Sequence, residues 1–341
     1  MLRTCPICGR EALVSKALGA CYECLRDGHL EKAELSHKRY RETYGLPPTP
    51  PRGGEVICCL CDLRCEIHRG ERGFCGLVEN RDGRLVRWAG TPDRGLLEWY
   101  YDRLPTNCVA AWFCPGSRSR GYNLAVFYGA CNLDCLFCQN WMYKELTRRM
   151  GPTMSSKELA SKIRNDVACI CFFGGDPSTQ VAHAMATARM ARRVRVCWET
   201  NGHFSPEVLK AVADTSIESG GIIKFDLKAW NNNVYKALTG VDLGSVYKNA
   251  SFLLEKMPKD QFTASTLLIP GYVDEEEVRA IAEFLASFSR DVPYTLLAFH
   301  PEHLMSDLPR TSGDQVKRAV KAAREAGLRR VFVGNYWLVS S

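Results

Sequence analysis

The sequence predicts an α/β chain in which small Cys-rich N-terminal modules precede an open, partial (βα) barrel. Three observations predict it. From Gly121 onward, short apolar runs alternate with longer amphipathic ones, the pattern of repeated strand-helix units around a parallel sheet. That stretch holds seven candidate strands, fewer than a closed eight-stranded barrel needs. Seventeen cysteines are present, eight of them in C-x-x-C pairs.

The chain has 341 residues, 46% of them hydrophobic, enough to bury a substantial core, so a disordered protein is excluded. No run of about 18 uninterrupted apolar residues occurs, and the start Met1-Leu-Arg-Thr-Cys-Pro-Ile-Cys8 lacks the regions of a signal peptide. A cytoplasmic protein with no membrane partner is expected. In a reducing compartment, crowded C-x-x-C spacings argue for metal ligation over disulfides. The net charge of +7 is modest and gathers in no long basic block, so charge does not point to nucleic acid.

The first expected unit, residues 1–49, carries Cys5-Pro-Ile-Cys8 and Cys21-Tyr-Glu-Cys24. Two such knuckles complete a tetrahedral thiolate shell, which predicts a zinc-ribbon-like module, with a second cluster as the alternative occupant. The run Leu46-Pro-Pro-Thr-Pro-Pro-Arg52 ends it, because successive prolines stiffen the chain and cannot continue a helix. The second unit, residues 50–120, holds Cys58, Cys61, Cys65 and Cys75, a possible second four-thiolate site that leaves Cys59 over. The alternative is a folded lobe with buried free cysteines, since cysteine is a common core residue. The pattern leaves Cys108 and Cys114 undecided between ligands and core.

In the third unit, residues 121–341, the expected strands run from Asn123 to Tyr128, Val167 to Phe173, Val194 to Trp198, Ile222 to Leu227, Thr263 to Ile269, Tyr294 to Phe299 and Arg330 to Val333. Helical periodicity fills the gaps, as over Asp274 to Ser287 and Gly313 to Ala326. Directly after the first strand come Cys131, Cys135 and Cys138, at the spacing C-x3-C-x2-C. Closed structural sites normally use four protein ligands, so three thiolates on one loop suit a 4Fe-4S cluster with one iron left open. The competing readings are a zinc knuckle with a distant fourth ligand, or three buried thiols.

This loop, with Phe137 in the aromatic place before Cys138, resembles that of the radical S-adenosylmethionine (SAM) enzymes. The resemblance implies a (βα)6-type partial TIM barrel of the radical SAM kind and a free iron chelated by the amino and carboxylate groups of SAM. Reductive cleavage then gives methionine and a 5'-deoxyadenosyl radical, which abstracts hydrogen from a substrate. The cofactor carries the hard chemistry, and the protein positions and shields it. Trp141 and Tyr143 are candidates to cover the cluster, though ordinary core packing explains them equally well.

Catalytic groups of parallel barrels gather where strands finish, and the remaining motifs fall there. Phe173-Gly-Gly-Asp-Pro177 resembles the family's glycine-glycine-acid motif, which implies that Gly174, Gly175 and Asp176 hold the methionyl amino group. Trp198-Glu-Thr-Asn-Gly202 and Lys224-Phe-Asp-Leu-Lys228 resemble stretches of the pyruvate formate-lyase activating enzymes. That likeness implies a monovalent cation held by Glu199, Thr200 and Asp226 beside the cofactor carboxylate, with Glu199 standing where that subgroup has aspartate. The bland alternative is that Lys224, Asp226 and Lys228 pair with neighbouring charges at the barrel mouth. Leu268 to Asp274 and Leu297-Ala-Phe-His-Pro301 continue the resemblance, making His300 a candidate cofactor or substrate contact.

The expected function is therefore a radical SAM enzyme, with activase-like hydrogen abstraction from a glycine of a partner protein as the first reading. The second is radical modification of another protein or a small molecule, with the N-terminal sites as docking module or relay. A non-catalytic zinc-ribbon protein that binds nucleic acid is the third. Expected cofactors are a 4Fe-4S cluster and SAM, with zinc, an auxiliary iron-sulfur cluster and a monovalent cation as further candidates. The electron would come from a low-potential donor such as ferredoxin or flavodoxin.

Overall fold

In the computed structural model, which describes residues 2–340, all seven apolar runs become strands within two residues of the expected bounds. The outermost bounds of the expected units, Met1 and Ser341, lie outside the described residues. The large sheet has nine strands: β1 (Gly95–Arg103), β2 (Tyr122–Tyr128), β3 (Thr153–Met154), β4 (Val167–Gly174), β5 (Arg195–Thr200), β6 (Ile223–Asp226), β7 (Phe262–Leu268), β8 (Tyr294–Ala298) and β9 (Val331–Gly334). Their order is β9-β8-β7-β6-β5-β4-β2-β1-β3. The seven expected strands are parallel neighbours in chain order. The sheet does not close, because β9 lies at one edge and β3 at the other.

Two strands of this sheet went unread in the sequence, the two-residue β3 and the longer β1. β1 lies within residues 50–120 yet pairs antiparallel with β2 over seven residues, from Leu97 opposite Tyr128 to Arg103 opposite Tyr122. Its run Leu96-Leu-Glu-Trp-Tyr-Tyr101 is rich in strand-favouring aromatics but lacks a following helix to mark it as a strand-helix unit.

Alternation along the central strands fixes what each face does. Leu124, Val126, Ile170, Phe172, Val196 and Trp198 point one way and are buried, as expected of a sheet face covered by helices. The residues between them, Asn123, Ala125, Cys169, Cys171, Cys197 and Glu199, face a cavity inside the curved sheet. The expected helices are present as Glu275–Phe288 and Gly313–Glu325, the second capped by the Ser312 hydroxyl, which accepts the Gln315 N–H at 3.1 Å.

The N-terminal segment packs on the barrel at named points. The Tyr272 hydroxyl accepts the Ser15 N–H at 2.8 Å and donates to the Ala20 carbonyl at 2.9 Å. The Asp307 carboxylate accepts from Arg3 at 2.8 Å and from the Lys16 N–H at 2.9 Å. The helix Glu31–Thr43 then sends His37 and Arg41 to Asp134, which lies between Cys131 and Cys135. His37 Nδ1 lies 2.9 Å from one Asp134 oxygen, Arg41 lies 3.7 Å from the other, and Lys144 pairs with it too. Further along, Asp62 meets His203 Nδ1 at 2.6 Å and accepts the Ser245 N–H at 2.8 Å.

Burial alone would raise the Asp134 carboxyl, but the His37 hydrogen bond with the Lys144 and Arg41 charges holds it down at about 2. A carboxyl depressed by folding contributes stability above its unfolded pKa of about 4, and that contribution is lost as pH falls towards about 2. Asp134→Asn leaves two buried cations short of a counter-charge, which costs about 3–5 kcal/mol. Denaturant unfolding at neutral pH reads this loss. An acid titration of the variant should lack the share of the wild-type slope between about pH 4 and pH 2. Unchanged stability together with an unchanged acid profile would contradict the role given to this carboxylate.

Candidate functional site

The loop bearing Cys131, Cys135 and Cys138 leaves the carboxyl end of β2 and doubles back against the end of β4. The close approach depends on two glycines. Gly174 has φ +109°, and a Cβ there would lie 2.7 Å from the Tyr128 nitrogen. A Cβ on Gly175 would lie 1.9 Å from the Ala130 carbonyl oxygen. The Gly175 N–H donates to Tyr128 at 2.8 Å and the Asp176 N–H to Ala130 at 2.9 Å, so the pair binds the loop through its backbone.

The three thiols and the glycine pair line one cleft of about 160 Å³, with Phe137, Tyr143, Glu199, Thr200, Asn201, Asp226, Lys228 and Ser265 also on its wall. Cys131 accepts the Leu133 N–H at 3.3 Å, and the Asn140 N–H bonds to Cys138. Burial pushes all three thiols up, Cys135 to about 12, while Lys228 pulls Cys135 and Cys138 down and Lys144 acts most strongly on Cys138. Such thiols stay protonated until a metal displaces the proton. Soft sulfur donors at one end, backbone amides on the sulfurs and two ammonium groups alongside suit an anionic iron-sulfur cluster, so these residues fit one.

Around the thiols, the Asn132 amide donates to Ser178 Oγ at 2.9 Å and to the His203 carbonyl at 3.0 Å. The Asn201 amide donates to Asn132 at 2.8 Å and reaches Cys131 Sγ at 3.7 Å. Asp176 is buried, and its carboxylate accepts from the Ser178 N–H at 2.9 Å, the Asn201 N–H at 2.8 Å and the Thr200 hydroxyl at 3.1 Å. Burial raises its pKa, and these donors oppose that rise. The carboxylate is thus engaged within the fold, while Asp176 also lines the cleft.

Glu199 and Asp226 face the same cleft, each with a lysine at hand. Lys224 lies 3.4 Å from Glu199, and Lys228 lies 3.1 Å from Asp226, which also accepts the Ser265 hydroxyl at 2.5 Å. His300 falls outside the residues lining this cleft and sits 3.7 Å from Glu302. Tyr143 is buried on the cleft wall and donates to the Leu133 carbonyl at 3.1 Å, while Trp141 stacks on His303.

Cys5, Cys8, Cys21 and Cys24 bring their sulfurs within 4.8 Å of one another, and they form the only such group among the described residues. A zinc ion with bonds of about 2.3 Å sets tetrahedral sulfurs about 3.8 Å apart, so this set could hold a single metal ion. Burial would raise the Cys5 thiol, but backbone N–H groups of Cys8, Cys21 and Ile7 bring it down to about 6. Cys61 lies within electrostatic reach of Cys58, Cys65 and Cys75. Backbone N–H groups of Leu63, Phe74 and Leu77 bond to Cys61, Cys65 and Cys75.

Sequence reasoning passed over Lys144, Lys228 and Asn201 as parts of the site. Lys228 and Asn201 stand inside motifs quoted for other residues, and Lys144 carries no motif at all.

The thiol-bearing loop, at the carboxyl edge of a partial parallel barrel and closed by a glycine pair, lies within the stretch that matches radical SAM domains. Residues 125–285 match the Radical SAM superfamily, and the chain is an enzyme by this domain and its relatives. It is 27% identical over 288 residues to the uncharacterized protein MJ0808 of Methanocaldococcus jannaschii, covering 82% of this chain and 81% of that protein. It is 25% identical over 194 residues to the isethionate sulfite-lyase activating enzyme of Oleidesulfovibrio alaskensis, covering 54% of this chain and 61% of the activating enzyme. The chain thus spans less than two thirds of that relative. A solved domain of a pyruvate-formate lyase-activating enzyme from Bacteroides vulgatus shares 21% identity at a TM-score of 0.41, over 49% of this chain and 99% of that one.

Gly175→Ala should force the Ala130 carbonyl away and shift the thiol loop, destabilising the protein by about 1–3 kcal/mol. Thermal unfolding checks the size, and an unchanged midpoint would contradict the close approach.

Proposed function

We propose that Cys131, Cys135 and Cys138 ligate a 4Fe-4S cluster and that SAM lies in the adjoining cleft against Gly174 and Gly175. The observation that carries this reading is the convergence of three thiols, the glycine pair, Thr200 and Asp226 on one cleft at the strand ends. When bound, the reduced cluster and SAM supply a 5'-deoxyadenosyl radical that abstracts hydrogen from a substrate. The chain's own residues do the rest. Asp176 holds Thr200 and Asn201, Asn201 holds Asn132, and that chain of hydrogen bonds keeps Cys131 in place. Lys144 and Lys228 offset negative charge at the cluster, and Phe137 and Tyr143 exclude water. Glu199, Thr200 and Asp226 form the candidate cation site, where a monovalent cation competes with Lys224 and Lys228. His300 is kept as a cofactor or substrate contact on the strength of its motif.

The activating-enzyme relatives favour hydrogen abstraction from a glycine of a partner protein, with ferredoxin or flavodoxin as donor. A second reading, a small molecule or a single side chain as substrate, draws support from a cavity of about 680 Å³ that continues inward from the cleft, a size typical of small-ligand sites. We assign zinc to Cys5, Cys8, Cys21 and Cys24, and a second metal site to Cys58, Cys61, Cys65 and Cys75. Residues 1–49, 50–120 and 121–341 are kept as three functional units, the second lending β1 to the sheet of the third.

Anaerobically reconstituted protein with dithionite should form 5'-deoxyadenosine from SAM, and Cys135→Ala should abolish that formation at least about a hundredfold while the protein stays folded. Cleavage retained in the variant would overturn the ligand assignment.

A further inference from the structure

Five cysteines outside the sites assigned above line the 680 Å³ cavity inside the barrel: Cys108, Cys114, Cys169, Cys171 and Cys197. Branched aliphatic side chains usually fill such an interior. Here the register sets Ala125, Cys171 and Cys197 side by side on β2, β4 and β5, with Asn123 and Cys169 one layer below. Among them stands Lys224 on β6, only 3% exposed, its ammonium 2.8 Å from Cys171 Sγ and 3.4 Å from Glu199.

One or two buried thiols would be ordinary core residues. Five around an open cavity with a buried ammonium are a different matter, because a buried cation is costly unless anions face it, and Glu199 is the one carboxylate paired with it. Thiols become anions when they ligate metal. Cys108 lies in the segment before β2 and is within electrostatic reach of Lys224, Cys169, Cys171 and Cys197. Cys114 is taken up locally, accepting the Gly116 N–H at 3.3 Å and capping a turn.

Spacing selects the class of ligand. Cys169 and Cys171 are two residues apart on one strand, about 6.6 Å along the backbone, and Cys171 and Cys197 face each other across strands about 4.8 Å apart. Unlike the N-terminal four, these sulfurs are not gathered within 4.8 Å as one ion requires. We propose that Cys108, Cys169, Cys171 and Cys197 bind an iron-sulfur cluster inside the barrel beside Lys224. The cavity shares Gln139, Asn140, Glu199 and Leu297 with the cofactor cleft, so this centre lies on the substrate side of the proposed SAM site.

The test uses the full chain, purified anaerobically and reconstituted with ferrous iron and sulfide. Relative to wild type, Cys171→Ser with Cys197→Ser should lose at least about two irons with matching sulfide, together with one component of the dithionite-reduced electron paramagnetic resonance spectrum. A SAM-sensitive component should remain in that variant, and zinc bound at the N-terminal cysteines should not change. Cys135→Ala should show the converse, losing the SAM-sensitive component and keeping the other, which separates this proposal from the cluster-loop reading. Cys108→Ala probes the same centre outside the sheet, should the strand substitutions disturb folding, and should show the same loss. Wild-type iron, sulfide and spectrum in folded Cys108→Ala, or zinc alone at these cysteines in the wild type, would overturn the proposal.

Discussion

The buried carboxylate of Asp134 is the point at which the separate parts of this chain are tied together. It lies inside the thiol loop, yet its partners come from both sides of it in sequence: His37 and Arg41 from an N-terminal helix, and Lys144 from the segment after the loop. The loop anchors itself in the core through Leu133, Leu136 and Phe137. A carboxylate buried among them must be met by charge and hydrogen bonding, which are worth most where water is excluded. The N-terminal extension is part of the wall that fixes the loop, and Asp62 with His203 makes a comparable tie from the second Cys-rich segment.

Sulfur spacing sorts the chemistry of the molecule. The sulfurs of Cys5, Cys8, Cys21 and Cys24 draw together as a single ion needs, whereas the loop thiols and the barrel thiols are spread around open space. Backbone amides aimed at Cys5, Cys61, Cys75, Cys131 and Cys138 recur across the sites and favour the thiolate form. Of the seventeen cysteines only Cys59 falls in none of these groups, and it is exposed. No helix among the described residues is long and apolar enough to cross a membrane.

Much of the architecture was legible in the residues because parallel strands carry their own signal. Val167 to Phe173 and Tyr294 to Phe299 read as strands from continuous apolar character bounded by turns, and the sheet contains both. The strand at Gly95–Arg103 was not legible, since its pairing with Tyr122–Tyr128 is a tertiary choice that no local period announces. At the site, the cysteine spacing and the glycine pair picked out residues that the structure brings to one cleft. The engagement of Asp176 with Thr200 and Asn201 was hidden, because it joins two strand ends 24 and 25 residues apart. The thiol layer of Cys171 and Cys197 was equally invisible, for it exists only once the strand register is known.

The most direct test of the account is the electron paramagnetic resonance spectrum of the dithionite-reduced, reconstituted protein with and without SAM, read beside its iron, sulfide and zinc content. The account predicts a reduced-cluster signal that shifts when SAM binds, with zinc retained at the N-terminal cysteines. Zinc without iron, or a cluster signal indifferent to SAM, would contradict it.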